Sequence, residues 1–461
     1  MTSTHRPVKP LLHSFAGLLL GSILSLDCAS GAKFCVAPDG RDTNPGTKES
    51  PFASIQRAQQ AVSPGDTVYI RGGIYQMKES DIARRDSFLA SIVHLDKDGG
   101  KNKPISYLAY PGERPVFDCS QVKPHGLRIS VFRVRASWIH IKGLEVTGVQ
   151  VTATGHTQSI CFENLGDHNI YENLSMHDGQ AIGLFISRGS DNLVLNCDAY
   201  RNHDFTSEGG RGGNTDGFGC HVARGGSNNV FRGCRAWFNS DDGFDCINSG
   251  EAVTFTNCWA FYNGFSPDFK KLGDGNGFKA GGYGIETDER FPDPVPRHRV
   301  GRCLAVRNRS AGFYANHHPG GIDWIHNSAF RNGLNYNFLG RSSDASSDIP
   351  GRGHKILNNL SYGTTRDVGN VDPTGNERAG NSFDQAVKLT DSDFLSLDES
   401  ALTAPRQPDG ELPAIRFLHP ASGNPFTGIG AAGGMAIKDT APDVGASERQ
   451  GRTSVAAERV Q

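Results

Sequence analysis

The sequence predicts an all-β solenoid, a parallel β-helix, on three observations. A C-x-A-x-x-N pattern recurs at Cys197-Ala199-Asn202, Cys234-Ala236-Asn239, Cys258-Ala260-Asn263 and Cys303-Ala305-Asn308, with Asn327-Ala329-Asn332 as a variant. A Gly-Phe pattern is interleaved with it: IGLFI at 182–186, DGFGC at 216–220, DGFDC at 242–246, NGFKA at 276–280 and AGFYA at 311–315. Equivalent asparagines lie 37, 24, 45 and 24 residues apart, a period of 24 with insertions. Fixed periods of this size mark stacked units that bury their apolar face only against their neighbours.

Composition agrees. Apolar residues make up 37% of the 461-residue chain and glycines number 57, which suits short strands joined by tight turns. With a net charge of −2, nothing argues for nucleic acid or an acidic membrane surface as a partner.

Residues 1–32 read as an export signal: His5, Arg6 and Lys9 precede an apolar run from Leu11 to Leu26, with small residues at Ser30 and Ala32. Cys28 could anchor a lipoprotein, but Asp27 directly before it argues against that. No other segment is long and apolar enough to span a membrane, so a secreted protein is expected. The solenoid domain then runs over 33–427. It opens on a short strand at Phe34–Ala37 and a turn-rich stretch, followed by PFASIQRAQQAV at 51–62, apolar at helical spacing. That short helix would cap the exposed end of the stack. From about Pro104 the pattern is β-rich runs punctuated by Gly and Asn. After Gly363 the repeat fades; 381–427 is expected to pack along the side of the helix and 428–461 to be a disordered tail.

Ten cysteines in an exported protein suggest disulfides, but the repeat places Cys197, Cys234, Cys258 and Cys303 in one internal row and Cys220 and Cys246 in another. They are expected to be reduced fillers, with a pairing left open among Cys35, Cys119 and Cys161. The asparagines closing each copy are expected at turns in the left-handed conformation, stacked as a hydrogen-bonded ladder.

Only the middle rungs, about 214–282, carry charge. Asp216, Asp242 and Asn276 share one column; Gly219, Asp245 and Lys279 share another. Strand alternation turns Phe244, Cys246 and Phe278 inward and Asp245 and Lys279 outward, one rung apart at about 5 Å. Asp216, Asp241 and Asp242 lie in the preceding turn. Four converging carboxylates suit a hard cation such as Ca²⁺, which takes only oxygen ligands; the same acids also suit solvated turns. Lys279 reads equally as an ion-pair partner of Asp245 or as a general base, the latter if a neighbouring cation or desolvation lowers its pKa. Arg211, Lys270 and Lys271 stand in insertions flanking these rungs and could contact substrate, or be solvated loop charges.

NTDGFGCH at 214–221, NSDDGFDCIN at 239–248 and DGNGFKAGG at 274–282 resemble the active-site rungs of polysaccharide lyase family 9, right-handed parallel β-helix pectate lyases. The resemblance covers roughly 34–417. It implies calcium held by Asp216, Asp241, Asp242 and Asp245, with Lys279 as catalytic base. The activity it implies is calcium-dependent β-elimination on polygalacturonate, giving 4,5-unsaturated oligogalacturonates. A lyase on rhamnogalacturonan or another uronate polymer is the first alternative; a hydrolase or a pectin-binding β-helix is the other. The expected partner is a pectic polysaccharide, and a capped solenoid gives no reason to expect anything but a monomer.

Overall fold

The computed structural model describes residue 1 and residues 31–284, 286, 291–428, 430–431 and 444–446. From Lys33 to Ala379 the chain winds as a parallel β-helix. Each coil adds one strand to each of three sheets, of 12, 10 and 11 strands among the described residues. One central coil runs through Asn229–Arg232, Arg235–Trp237 and Phe244–Asp245, and the next through Val253–Thr256, Trp259–Phe261 and Phe278–Lys279. Their register pairs Phe231 with Phe255, Ala236 with Ala260 and Asp245 with Lys279. Residues 2–30, most of the export segment, lie outside the described residues.

The helix at the open end is Ile55–Ala61, N-capped by the Ser54 hydroxyl, which accepts from Arg57 N. Ile55, Ala58 and Val62 enter the core. Gln56 and Gln59 turn to the strand Leu89–Leu95: Gln56 Oε1 accepts from His94 N, and Gln59 bonds His94 O and Asp96 N. Side-chain amides thereby satisfy backbone groups that an uncovered edge strand would leave unpaired.

Inside, the two sequence motifs lock together. The third sheet stacks Phe218, Phe244, Phe278, Phe313 and Tyr336 with ring centroids 4.7–5.1 Å apart. Beneath them lie the alanine and cysteine columns, fully buried. The glycine before each phenylalanine is there because nothing larger fits: a Cβ on Gly243 would meet Gly277 O at 2.7 Å and Asn263 Nδ2 at 2.9 Å. All nine described cysteines are buried free thiols, so no pair forms among Cys35, Cys119 and Cys161. The row at 197, 234, 258 and 303 donates instead to backbone carbonyls two residues earlier, at 3.3–3.5 Å.

The asparagine ladder forms, with a different division of labour from the one expected. The left-handed residue is the one before each asparagine: Arg201, Phe238, Tyr262, Arg307 and Arg331 have φ between 46° and 60°. The asparagine itself is buried and serves the backbone of the turn. Asn263 Nδ2 donates to Ala236 O and to Asn308 Oδ1, both at 3.0 Å, while its Oδ1 accepts from Asn239 N and Nδ2. Asparagine is needed here for its paired donor and acceptor, which a buried turn cannot replace with water.

Along the outer face of the second sheet runs the C-terminal segment. Phe394, Leu402, Phe417, Leu418 and Phe426 join Trp237, Phe261, Val306, Phe330 and Leu360 in a second apolar cluster. Arg406 and Arg235 both bond Asp198, and each also donates to backbone carbonyls. Of the tail set apart at 428–461, Ala431 and 444–446 are seen against Asn358, Ser328 and Phe426; most of the rest lies outside the described residues. No helix among the described residues is long and apolar enough to cross a membrane.

Replacing Asn263 by alanine strands one buried carbonyl and one buried N–H. Chemical denaturation should show a loss of about 3 kcal/mol; a loss below about 1 kcal/mol would mean the ladder contributes little.

Candidate functional site

The third sheet carries the charged groups because its inward column is aromatic. With Phe244 and Phe278 facing in, Asp245 and Lys279 must face out, and the register sets them directly opposite each other. Lys279 Nζ lies 3.1 Å from Asp245 Oδ2 and 3.2 Å from Asp242 Oδ2. The column continues through Gly219 on one side and through Tyr314 and Asn337 on the other. Gly219 leaves room that the Phe185 ring occupies, since a Cβ there would meet that ring at 2.4 Å.

Asp216, Asp242 and Asn276 stand at the corner just before this sheet and repeat the logic of the asparagine ladder. Asp216 Oδ1 accepts from Asp242 N at 3.1 Å, Asp242 Oδ1 from Asn276 N at 2.6 Å, and Asn276 Oδ1 from Ala311 N at 3.1 Å. Putting aspartate into a ladder position uses one oxygen for the scaffold and leaves a second. That second oxygen of Asp242, Oδ2, is buried and makes no hydrogen bond among the described residues, where it is paired with the Lys279 ammonium. Asp241 Oδ1 accepts from Asp274 N at 2.8 Å, and Asp245 Oδ1 from Ile247 N at 2.7 Å.

The flanking insertions close on the same point. Ser240 Oγ donates to Gly212 O in the first, and Gly273 N donates to Ser240 O from the second. Of the three basic residues expected there, Lys270 pairs with Asp268 in its own loop at 2.8 Å, and Arg211 and Lys271 are exposed.

All four aspartates are at least 95% buried. Asp216, Asp241 and Asp242 each offer an oxygen within 4.8 Å of the others'; Asp245 stands beside this trio, held to Lys279. Burial, followed by mutual repulsion, raises the pKa of Asp216 and of Asp241 well above the carboxylate range. Asp242 is also raised, by burial first, although Lys279 opposes it. Burial works against the charge of Lys279, but Asp245, Asp242, Asp216 and Asp241 outweigh it and drive its pKa upward. Without a cation, this lysine is an ammonium pinned between carboxylates.

The donor set fits a hard divalent cation. It consists of carboxylate oxygens, one of them buried without a hydrogen bond, in a spot where uncompensated negative charge is costly. Neither thiolate nor imidazole is part of the trio. The nearby His221 has Nε2 at 3.9 Å from Asp245 Oδ1, buried and without a hydrogen bond among the described residues, and burial lowers its pKa.

Sequence reasoning assigned no role to His221, Tyr314, Arg309 or Arg366. Tyr314 was within reach, since AGFYA and NGFKA align it with Lys279. The arginines were not, because both lie in corner turns where strand alternation gives no direction.

The comparisons with known proteins agree on one family. Residues 34–358 match the description "Pel9A-like, right handed beta helix region". Pectate lyase L of Dickeya dadantii is 34% identical over 441 residues, 93% of this chain and 95% of that protein. A solved rhamnogalacturonan lyase is 44% identical with a TM-score of 0.80, covering 84% of this chain and 96% of its own. The crystal structure of pectate lyase Pel9A is 32% identical with a TM-score of 0.73, covering 91% and 97%.

An acid with a raised folded-state pKa binds its proton more tightly folded than unfolded, so its contribution to stability falls as pH rises above about 4. A cation on these carboxylates would reverse that loss and compete with their protons. Added calcium should therefore raise the melting temperature by an amount that grows from pH 4 to neutrality, relative to chelator. A shift independent of pH would detach the cation from these acids.

Proposed function

The chain belongs to polysaccharide lyase family 9, the Pel9A-like right-handed β-helix enzymes, and we propose that it is an exported pectate lyase. Its reaction would be calcium-dependent β-elimination on polygalacturonate. The observation that carries this reading is the lysine on the acidic cluster: Lys279 Nζ lies within 3.2 Å of Asp245 and of Asp242, the latter one of three carboxylates that suit a hard cation. A binding protein needs no base there, and a hydrolase would call for a second carboxylate in place of Lys279.

In the proposed chemistry Lys279 Nζ, in its neutral form, takes the C5 proton of a uronate. The C5–H electron pair forms the C4–C5 double bond, and the glycosidic C4–O bond breaks with its electrons on the departing oxygen. Asp216, Asp241, Asp242 and Asp245 would hold the calcium. When bound, calcium would act as a Lewis acid toward the uronate carboxylate and offset the charge that keeps Lys279 protonated. The ladder bonds of Asp216 and Asp242 keep one oxygen of each fixed, so the free oxygens need little reorganisation. Asp245 and Asp242 orient the Lys279 side chain along the outward column. Because the base is a lysine, activity is expected to rise toward alkaline pH.

A second reading has its own support. The 44% identical solved structure is a rhamnogalacturonan lyase, so the alternating polymer is the competing substrate. The same base and acids would serve both. Export is supported by the basic-then-apolar N-terminus and by a polymeric substrate that is met outside the cell.

The test is ultraviolet absorbance of the unsaturated product during incubation with polygalacturonate or rhamnogalacturonan, with calcium and then with chelator. Absorbance should rise on polygalacturonate and stop with chelator, and Lys279→Ala should cut kcat by about a thousandfold or more. Reducing ends without absorbance would mean hydrolysis; a rise on rhamnogalacturonan alone would move the substrate to the second reading.

A further inference from the structure

Beyond Lys279, along the same outward column, a cleft of about 420 Å³ opens. Its lining includes Asp274, Asn276 and Ser310, Tyr314 and Asn337 of the outward column, and Arg309 and Arg366. Tyr314 sits one rung from Lys279 and Asn337 two, so the cleft begins roughly 5–10 Å from the base. It is polar, and no carboxylate pairs with either arginine among the described residues. Arg309 is anchored by donating Nη1 to Gly273 O and Asp274 O, which leaves the other edge of its fork available. Arg366 is exposed, and its guanidinium makes no hydrogen bond or ion pair among the described residues. Two cations and one carboxylate, Asp274, line the cleft; neither guanidinium is paired with that carboxylate, so the excess positive charge suits an external anion, and the planar guanidinium fork matches a carboxylate.

We propose that this cleft is a subsite in which Arg309 and Arg366 bind the carboxylate of a neighbouring uronate of the same chain. The inference rests on the lyase reading for its placement next to a uronate at Lys279. It deepens that reading toward a substrate that carries acid groups on successive sugars, since an alternating polymer puts a neutral sugar beside each uronate. Arg366 carries recognition, while Arg309 also holds the 264–275 turn through Gly273. The cleft is therefore a binding determinant that acts on affinity more than on the chemical step.

Calorimetric binding of a hexagalacturonate to Lys279→Ala and to Lys279→Ala/Arg366→Gln, with calcium, isolates affinity from turnover. Arg366 is exposed in a turn, so its loss leaves the fold intact. The second variant should bind about tenfold more weakly at low salt, with the ratio shrinking as ionic strength rises. Arg366→Lys should retain part of the affinity. In the otherwise native enzyme, Arg366→Gln should raise KM on polygalacturonate by a similar factor while kcat changes little. Equal affinity with and without Arg366, a loss that salt does not alter, or no binding by Lys279→Ala would each overturn the subsite. Binding that needs Arg366, in an enzyme that eliminates nothing, would leave the subsite standing and remove the lyase reading. Normal elimination with an Arg366-independent affinity would do the reverse.

Discussion

The packing of one aromatic column against glycine and asparagine holds the rest of the arrangement in place. Phe218, Phe244, Phe278 and Phe313 stack at ring distances near 5 Å, and the glycine before each is pressed against the ladder below. A slip of one residue in this sheet would turn Phe278 to solvent and drive Lys279 into the core. Deleting a buried phenylalanine costs about 3–5 kcal/mol, so the register is strongly specified. The outward column inherits that precision. Its side chains are spaced by the strand separation, which lets one lysine meet two carboxylates, Asp242 and Asp245, of the preceding rung.

The same regularity explains why the cluster is electrostatically unfinished. Four aspartates and one lysine, all ionised, leave a net charge of −3 in a region where the acids are almost fully buried. Solvent cannot spread that charge, and Lys279 offsets one unit of it. Either protons or a cation must supply the rest, which is the physical content of the raised pKa values of Asp216, Asp241 and Asp242. Two of these acids, Asp216 and Asp242, stand in the column that Asn276 occupies on the next coil. Exchanging an amide for a carboxylate keeps the scaffold acceptor and gives up neutrality.

Much of this was legible in the residues. The 24-residue period, the inward Phe and Cys columns, and the outward pairing of Asp245 with Lys279 follow from strand alternation, and the structure has them in register. Corners were less legible. The asparagines were expected to take the left-handed backbone themselves; instead Arg201, Phe238, Tyr262, Arg307 and Arg331 take it, because the buried turn needs the amide more than it needs a favourable φ. The basic insertions were weighed as substrate contacts, yet the cleft is lined by Arg309 and Arg366. Those two sit 57 residues apart and line one cleft only because coil corners stack, theirs being two coils apart, a relation that period alone does not reveal once insertions vary.

The central claim is that Lys279 and the aspartates are separate parts, a base and the seat of a cation, which share one electrostatic field. Calcium titration by calorimetry of the native chain and of Lys279→Ala tests it most directly. The account predicts one site in both, bound at least as tightly without Lys279, because removing the ammonium relieves repulsion of the ion. Calcium binding that disappears with Lys279, or that never occurs in the native chain, would contradict it.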